Sequence, residues 1–376
     1  MCCQILPYIR GTFRQTILNI DMDSFGSKFR VSIFGESHGD AIGVVLDGVQ
    51  PGLPLGIEDF TEDILRRKSG PKGTTPRIEA DIPEILSGIY EGFTTGAPLA
   101  IIFRNRNTRS GDYKLFNDMP RPGHADYTAS VKWMDFNDPR GGGHFSGRLT
   151  LPIVAAGVVA KKMCVCDVRA SLIEVGGMSR TEALATLTDE DRNGLPESEI
   201  PASVIWKDVI ANAMRERDSI GGIVECVASK VPAGLGEPFF DSVESLISHA
   251  IFSIPGVRGI EFGDGFESAR MKGSEHNDPF DNVEGGDVSL HLSVHPSKNG
   301  AGGVNGGITN GNPIVFRVAF KPTSSIGKPQ KTFNFAKGEM DELSIPGRHD
   351  ACFALRTPPV VEAMTAIVLA DLMKRI

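Results

Sequence analysis

FRVSIFGESHGDAIGVVLDGV, residues 29–49, contains GESHG at 35–39, which matches the G-x-S-x-G pattern of serine hydrolases. In those enzymes the serine stands on a turn between a strand and a helix. FRVSIF alternates and is rich in β-forming residues, but DAIGVVLDGV carries two further glycines and a β-branched run before Pro51, which predicts a second strand. The sequence therefore predicts a strand, a turn and a strand, and Ser37 is not expected to be a hydrolase nucleophile.

The composition is that of a globular chain of 376 residues, 40% of them hydrophobic, with ample material for a core. The most apolar run, around IVAAGVVA, ends at Lys161 and Lys162, short of the roughly 18 residues of a membrane span. A net charge of −8 and a pI near 5.6 argue against nucleic-acid binding. Neither a membrane nor a nucleic acid is an expected partner.

The cysteines and the N-terminus indicate a cytoplasmic protein with reduced thiols. None of the six cysteines forms a C-x-x-C pair: Cys2, Cys3, Cys164, Cys166, Cys226 and Cys352. Residues 1–21 lack the apolar length of a secretory signal, and two arginines without a serine make a poor organelle transit segment. We interpret 1–21 as an extension without a structural role, and 22–376, which shows no composition break, as a single domain.

Helices are predicted at 58–68, 150–163, 207–217, 241–253 and 358–376. In the fourth, Asp241 and Glu244 resemble a capping box. The last carries an apolar side, expected to face the core, formed by Val361, Met364, Val368 and Leu372.

Two further patterns concern strands. VSLHLSVH at 288–295 alternates strictly, which predicts a strand. IGVVLDGVQPGLPL at 42–55 resembles IGGIVECVASKVPAGLG at 220–236, and this similarity indicates a duplicated β-α unit.

Several familiar ligand motifs are incomplete or badly spaced. His291 and His295 fall on the strand predicted at 288–295, about 13 Å apart, which is too far for ligands of one metal ion. The chain has neither a P-loop nor a complete G-x-G-x-x-G. GAGGVNGGITNG at 300–311 either brings backbone N–H groups against an anion or forms a glycine-rich turn between strands.

Residues 104–148 are unusually basic for an acidic chain. They hold eight lysines and arginines against five aspartates: Arg104, Arg106, Arg109, Lys114, Arg121, Lys132, Arg140 and Arg148. His124 and His144 lie among them, and a second cluster, Arg66-Arg67-Lys68, precedes them. Two interpretations stay open, a solvated surface or a pocket for a small polyanion in which histidines supply protons.

Taken together, ordered motifs from about Phe25 to the C-terminus resemble the chorismate synthase family. They are FGESHG, DGVQPGLPL, RPGHADY, GGG-x-x-S-x-R, DSIGG with VPAGLGEP, GDGFE, AGGVNGGITNG, KPTSSI and GRHD. The resemblance implies an α+β fold, a β-α-β sandwich of antiparallel sheets packed with helices and carrying an internal pseudo-duplication, in a homotetramer.

The resemblance also implies a lyase reaction of the shikimate pathway, in aromatic amino acid biosynthesis. In it, 5-enolpyruvylshikimate 3-phosphate loses phosphate and a ring proton by 1,4-elimination to give chorismate. The reaction requires reduced FMN, and the flavin could be reduced on the chain by NADPH or by a separate reductase. The alternative is a flavin- or phosphosugar-binding protein that kept the pocket and lost the chemistry.

The family's functional residues carry over to matching positions. By this resemblance His38 protonates the departing phosphate, His124 settles charge on reduced flavin and Asp350 relays a proton. Substrate contacts carry over to Ser37, Arg67, Arg121 and Arg148. Flavin contacts carry over to His144, Phe145, Ser146, Pro255, Gly256, Gly306, Lys321, Pro322, Thr323, Ser324, Ser325 and Arg348.

Two positions depart from the family pattern. His144-Phe145 replaces the Arg-Ser that many members have after the triple glycine, which puts the flavin contact there in question. Lys72-Gly73 stands where another arginine is common, so anion binding on that side is expected to be looser or rearranged.

The extension can be tested by truncation. A chain starting at Met22 should keep the activity and thermal midpoint of the full chain, because the matching motifs begin only after Met22. A clear loss of either in parallel assays would show that residues 1–21 pack on the core.

Overall fold

The computed structural model of the chain describes residues 23–77, 79–107, 115–282, 294–345 and 349–375. The strands are β1 (Ser24–Phe25), β2 (Arg30–Gly35), β3 (Ala41–Asp47), β4 (Glu84–Ser87), β5 (Ile89–Tyr90), β6 (Phe93–Thr94), β7 (Leu99–Arg104), β8 (Asp167–Val175), β9 (Met178–Ser179), β10 (Gly222–Ser229), β11 (Val257–Phe262), β12 (Phe280–Asn282), β13 (Val294–Pro296), β14 (Val304–Asn305), β15 (Ile308–Thr309), β16 (Ile314–Phe320), β17 (Gln330–Asn334) and β18 (Glu339–Leu343).

The α-helices are α1 (Thr61–Arg67), α2 (Leu115–Asp118), α3 (Asp126–Trp133), α4 (Thr150–Met163), α5 (Arg180–Ala185), α6 (Asp189–Arg192), α7 (Ala202–Ile205), α8 (Lys207–Arg215), α9 (Val243–Phe252), α10 (Gly273–His276) and α11 (Pro358–Met373). Short 3-10 helices lie at Ile57–Phe60, Arg140–Phe145, Gly147–Leu149, Phe239–Asp241, Gly265–Arg270 and Phe353–Arg356.

The longer strands form two five-stranded sheets. The first has the order β1-β2-β3-β7-β4 and the second the order β11-β16-β10-β8-β9. All neighbouring strands within the two sheets run antiparallel. The predicted α+β class with antiparallel sheets is therefore confirmed.

A layer of four helices separates the sheets. α4 packs on β3 and β7 of the first sheet, α11 packs on β8 and β10 of the second, and the two helices pack on each other. α1 lies beside α4, and α9 lies beside α11. This arrangement is the predicted β-α-β sandwich.

The two halves repeat the same strand order. β2-β3-β7 in the first sheet corresponds to β8-β10-β16 in the second. In each half a helix, α1 or α9, follows the middle strand, and a later helix, α4 or α11, follows the third strand. The similar segments 42–55 and 220–236 each contain most of a middle strand, which supports the predicted pseudo-duplication.

The opening stretch folds as predicted. β2 and β3 form an antiparallel hairpin with Phe34 opposite Gly43, and Ser37 and His38 lie in its turn. Gly35 has a φ of +97°, and a Cβ there would lie 2.4 Å from the Ala41 carbonyl oxygen. Because no helix follows the turn, the geometry of a hydrolase nucleophile elbow is absent at Ser37.

The five predicted helices are present, with two corrections of detail. Ser242 caps α9 by accepting a hydrogen bond from the Ser245 N–H (3.1 Å), so the predicted cap at Asp241 is wrong. α11 is buried from Pro359 to Leu372 rather than along one side, because it lies between α4 and the second sheet. None of the described helices is both long and apolar enough to cross a membrane.

The strand predicted at 288–295 falls mostly outside the described residues, as does His291. Its last two residues begin β13, which pairs with β12.

A tight contact between the two central helices provides a test of the sandwich. A Cβ on Gly157 of α4 would lie 2.3 Å from the Cβ of Ala363 and 2.5 Å from its Cα. Gly157→Ala should force the helices apart and lower the free energy of unfolding by about 1–3 kcal/mol, measured by denaturation. The matched control, Gly273→Ala in the surface helix α10, should change it by about 0.5 kcal/mol or less. Equal stability of the two variants would contradict this packing.

Candidate active site

Two adjoining cavities lie where loops from both halves of the fold meet. The smaller encloses about 170 Å³ and the larger about 840 Å³. Both are lined by Arg121, Gly141, Ser146, Gly147, Thr323, His349, Asp350 and Phe353. Molecules bound in the two cavities would therefore face each other across a shared boundary.

The triple glycine turn packs between the two histidines that the sequence singled out. A Cβ on Gly141, whose φ is +62°, would lie 2.3 Å from His38 Nδ1 and 2.8 Å from Ser37 Oγ. A Cβ on Gly142, whose φ is +83°, would lie 3.3 Å from the His124 ring. Glycine is required here because the backbone itself fills the space between the side chains.

Arg67 enters the wall of the smaller cavity from the end of α1. Its Nε donates to Thr150 Oγ1 (3.0 Å) and its Nη2 to the Gly147 carbonyl (2.8 Å), at the start of α4. Its neighbour Arg66 points elsewhere and pairs with buried Glu362 of α11 (2.6 Å). The predicted basic cluster is therefore divided, and only one of its two arginines faces the cavity.

Ser37 and Asp350 are both held by arginines that the sequence analysis did not assign. Arg77 donates to Ser37 Oγ (3.2 Å) and pairs with Glu79 (2.8 Å). Asp350 accepts hydrogen bonds from Arg356 (3.1 Å) and from the Thr75 backbone N–H (2.8 Å). These contacts fix a hydroxyl and a carboxylate in the cavity wall.

Arg121, Asp126 and His124 form one largely buried group at the boundary. Asp126 lies 2.7 Å from Arg121 and 2.6 Å from His124 Nδ1. Burial raises the pKa of the Asp126 carboxyl, but hydrogen bonds from Arg121 and His124 outweigh it and hold the pKa well below its usual range. Burial lowers the pKa of His124, and Asp126 only partly offsets this. The imidazole is therefore neutral near pH 7.

The larger cavity combines an apolar wall with a polar rim. Aromatic and aliphatic side chains form the wall: Phe25, Val31, Ile33, Phe145, Leu149, Ile153, Phe252, Ile254, Val257, Phe353, Met364 and Ile367. On the rim Lys321 Nζ donates to Ser324 Oγ (2.7 Å), and the buried Thr323 Oγ1 has no hydrogen-bond partner in the described part of the chain. Such a cavity suits a flat heterocycle with a charged tail.

The structure brings most of the predicted residues to these cavities. The smaller is lined by Ser37, Arg67, Arg121, Ser146, Arg148, Thr323 and Asp350. The larger is lined by Arg121, His124, His144, Phe145, Ser146, Pro255, Gly256, Lys321, Pro322, Thr323, Ser324, Ser325 and Asp350.

Three of the predicted site residues are not among the described residues that line the two cavities. His38 lies behind Gly141, and Gly306 lies in the turn of the β14–β15 hairpin. Arg348 lies outside the described residues. The glycine-rich stretch 300–311 thus forms a turn between strands, with φ of +62° at Gly306 and +90° at Gly307.

The two departures from the family pattern have structural counterparts. His144 and Phe145 both line the larger cavity. The His144 Nδ1 lies 2.7 Å from the Gly35 carbonyl oxygen, and the Phe145 ring packs on Trp133, so each side chain is held by another residue of the chain. Lys72 lines neither cavity, while Arg77 and Arg356 do contribute cations to the smaller one.

The basic segment 104–148 contributes fewer cations to the cavities than its composition predicted. Of its described cations only Arg121 and Arg148 line the cavities. Arg104 pairs with Glu84 and Arg140 with Asp138, both at exposed positions. Arg109 and Lys114 lie outside the described residues.

Sequence reasoning missed several side chains of the smaller cavity: Arg77, Glu79, Asp81, His349 and Arg356. The alternating R-x-E-x-D at 77–81 was an available signal, because charges two residues apart share one face of an extended chain. Arg356 pairs with Asp350, six residues earlier, but its contact with the Arg67 carbonyl joins distant parts of the chain and left no local signal.

The chain is similar to known proteins along most of its length. Residues 29–374 match the family model described as chorismate synthase. The chorismate synthase of Chitinophaga pinensis is 53% identical over 354 residues, covering 94% of this chain and 96% of that protein. The chorismate synthase of Korarchaeum cryptofilum is 46% identical over 358 residues, with 93% and 96% covered. A crystal structure of chorismate synthase superposes with a TM-score of 0.68 at 28% identity, covering 93% of each chain.

The fold, the paired cavities and these similarities define an enzyme of the lyase class. The chain belongs to the chorismate synthase family, and chorismate synthase is its function; the family depends on reduced flavin. Nothing in the similarities favours the non-catalytic binding protein considered above.

His349 gives a pH-dependent prediction. Burial and the charge of Arg121 lower its pKa to about 4, from 6.5 in the unfolded chain. Between these pH values the unfolded state binds a proton that the folded state does not. The free energy of unfolding should therefore fall as the pH drops from 6.5 to 4, by about 1.4 kcal/mol for each unit of difference between the two pKa values. His349→Asn should flatten this dependence in denaturation experiments. An unchanged slope would contradict the burial of a neutral imidazole.

Proposed function

We propose that the chain converts 5-enolpyruvylshikimate 3-phosphate to chorismate and phosphate by 1,4-elimination, with reduced FMN bound beside the substrate. The observation that carries the proposal is the shared boundary between a small arginine-lined cavity and a large, half-apolar one. The first suits a compact polyanion, and the second suits a flat heterocycle. Asp350 lies on the boundary, where it would reach both ligands.

The smaller cavity supports the assignment of the substrate. Five arginines line it, and guanidinium groups bind carboxylates and phosphates with two parallel hydrogen bonds. Ser37, Arg67, Arg121 and Arg148 are proposed as substrate ligands, and Arg77 and Arg356 are added to them. A substrate with two carboxylates and a phosphate carries enough anionic oxygens to bind these arginines.

The larger cavity supports the assignment of FMN. Phe145 and Phe353 would pack on the ring system, and Lys321, Thr323 and Ser324 would bind its polar groups. The unpartnered hydroxyl of Thr323 is the clearest sign of an absent ligand group. When bound, the reduced flavin supplies electron density and helps to remove the ring hydrogen. Arg348 and Gly306 are proposed as further flavin contacts by family resemblance.

His38 is proposed as the acid that protonates the departing phosphate. Burial lowers its pKa, as do the charges of Arg77 and Arg140, so the imidazole is neutral before substrate binds. A phosphate dianion at Ser37 would reverse the local charge and raise that pKa. Because Gly141 separates His38 from the cavity, the proton would pass at the edge of the glycine turn, beside Ser37 Oγ.

Asp350 and His124 are proposed to handle protons on the flavin side. Asp350 is fixed by Arg356 and Thr75 with its carboxylate at the boundary. His124 is fixed by Asp126 and faces the larger cavity. A positioned carboxylate can take up a proton and return it, and a neutral imidazole can balance nearby negative charge by taking up a proton to become imidazolium.

The assembly, reductant and compartment are proposed from the family resemblance. We propose a cytoplasmic homotetramer, which sedimentation of the purified protein would test. The exposed apolar side chains Leu86, Tyr90 and Phe93 on neighbouring strands are consistent with a subunit contact. Anaerobic oxidation of NADPH by the protein with FMN would show whether the chain reduces its own flavin.

Anaerobic turnover tests the proposed reaction directly. Purified protein, chemically reduced FMN and 5-enolpyruvylshikimate 3-phosphate should yield chorismate and inorganic phosphate in equal amounts. Omitting the flavin should abolish the reaction. Folded protein that releases neither product would refute the proposal.

Two substitutions test the assigned proton chemistry. His38→Ala and Asp350→Asn should each lower kcat by about 10²–10⁴-fold while substrate affinity changes little. In Asp350→Asn the amide oxygen still accepts a hydrogen bond from Arg356, which the Arg67 carbonyl also holds, so the arginines stay in place. Single-turnover kinetics with reduced FMN and direct binding measurements separate the two effects. His276→Ala, on the surface helix α10, is the control and should behave like the unaltered protein. Near-native turnover by both active-site variants would contradict the assigned roles.

A further inference from the structure

Asp81 differs from the other acidic residues of the smaller cavity because two arginines share its carboxylate. Oδ1 accepts a hydrogen bond from Arg148 Nη1, and Oδ2 lies 3.7 Å from Arg67 Nη1. The three side chains are between 3% and 6% exposed. Asp81 is therefore a counterion built into a dry part of the cavity wall, where charges interact strongly.

The backbone at Asp81 indicates that this carboxylate is held in place by its partners. Asp81 has a φ of +54°, in the left-handed region that residues with a side chain rarely adopt. Such conformations persist where surrounding contacts compensate for them, and they cluster at functional sites. The contacts with Arg67 and Arg148 supply that compensation.

The guanidinium charges of the smaller cavity are paired one to one with carboxylates except at Arg67 and Arg148, and Lys68, which also lines the cavity, donates to the Ala80 carbonyl. Five arginines line the smaller cavity, and four carboxylates pair with them in the ranges that the structure describes. The pairs are Arg77 with Glu79, Arg121 with Asp126, Arg356 with Asp350, and Arg67 and Arg148 together with Asp81. The unbalanced guanidinium charge therefore lies at Arg67 and Arg148.

Arg148 also presents a hydrogen-bond donor without an acceptor among the described residues. Its Nε donates to Asn105 Oδ1 (3.0 Å), but its buried Nη2 has no hydrogen-bond partner among the described residues. A buried, charged donor without an acceptor is unfavourable. Because Arg148 lines the cavity, an anionic oxygen that enters would supply the missing acceptor.

We propose that Asp81 is a positioning residue that prepares Arg67 and Arg148 to receive one anionic group of the substrate. Its carboxylate holds the two guanidinium groups at a fixed separation and balances one of their two charges. A single positive charge and one free donor then remain for the ligand. This inference rests on the proposed substrate, a phosphorylated dicarboxylate.

Loss of the carboxylate would change the site in a specific way. Arg67 and Arg148 would repel each other across a dry wall, and a small anion could enter the position that the carboxylate leaves. The larger substrate cannot occupy that position and would find the arginines displaced. The site should therefore bind the substrate more weakly and small anions more tightly.

Two substitutions separate charge from shape. Asp81→Gly removes the carboxylate and suits a positive φ, whereas Asp81→Asn keeps the shape without the charge. In both, the Kd of the phosphorylated substrate for the flavin-free protein, measured by calorimetry, should rise about 10- to 100-fold. Sodium formate, but not sodium chloride at equal concentration, should largely restore affinity in Asp81→Gly, because formate fits the vacated space. It should not do so in Asp81→Asn, where the amide fills that space.

Glu91→Gly is the matched control. Glu91 is exposed, carries the same charge and has a left-handed φ of +48°, but it does not line either cavity. This variant should bind substrate like the unaltered protein, with and without formate.

The outcomes are distinct. Unchanged or tighter substrate binding in both Asp81 variants would overturn the inference. Weaker binding that formate does not relieve in Asp81→Gly would also overturn it, because loss of the fold would explain the result.

Failure of the proposed function would look different. The unaltered protein would not bind the phosphorylated substrate at all. Titration with sodium sulfate would then still test the counterion, since Asp81→Gly should bind sulfate more tightly than the unaltered protein does. Equal sulfate affinity would refute the role of Asp81 without reference to the reaction.

Discussion

A buried arginine needs a counterion, and the active site is organised around that requirement. Five guanidinium groups line a cavity of about 170 Å³, and burial weakens the screening of their charges by solvent. Arg77, Arg121 and Arg356 each pair with a carboxylate close in sequence, and Arg67 and Arg148 share the more distant Asp81. The donors are therefore held in place before a ligand arrives. The segment 75–81 supplies two of these carboxylates, Glu79 and Asp81, and one of the arginines, Arg77. This short segment therefore contributes as much to the site as the motifs that carry the family resemblance.

The site also depends on both halves of the pseudo-duplicated fold. The first half contributes Ser37, Arg67 and Arg148, and the region after the second sheet contributes Thr323 and Asp350. Neither half could form either cavity alone. The pseudo-symmetric scaffold therefore places the cavities at the boundary between its halves, where the contributing loops differ.

The sequence predicted the scaffold well because its signals are local. Strand alternation, helical periodicity and the motif at 34–39 each lie within a few consecutive residues, and the structure confirms the hairpin and the five helices. Several contacts that orient the site are not local. Arg356 donates to the backbone of Arg67, and Arg148 pairs with Asp81, across large distances in sequence that no short pattern records. The position of His38 behind Gly141 likewise depends on a turn more than one hundred residues away.

The contact between α4 and α11 has a consequence for how the chain acquires its structure. α11 follows every other described element in sequence, yet it occupies the centre of the sandwich and is buried on all sides. During synthesis the two sheets are complete before the helix that fills the space between them has left the ribosome. Until then their inner faces expose apolar surface, and closure requires contacts between distant parts of the chain, which form slowly. The sandwich is therefore expected to close only once α11 has emerged, with a transient dependence on chaperones until then.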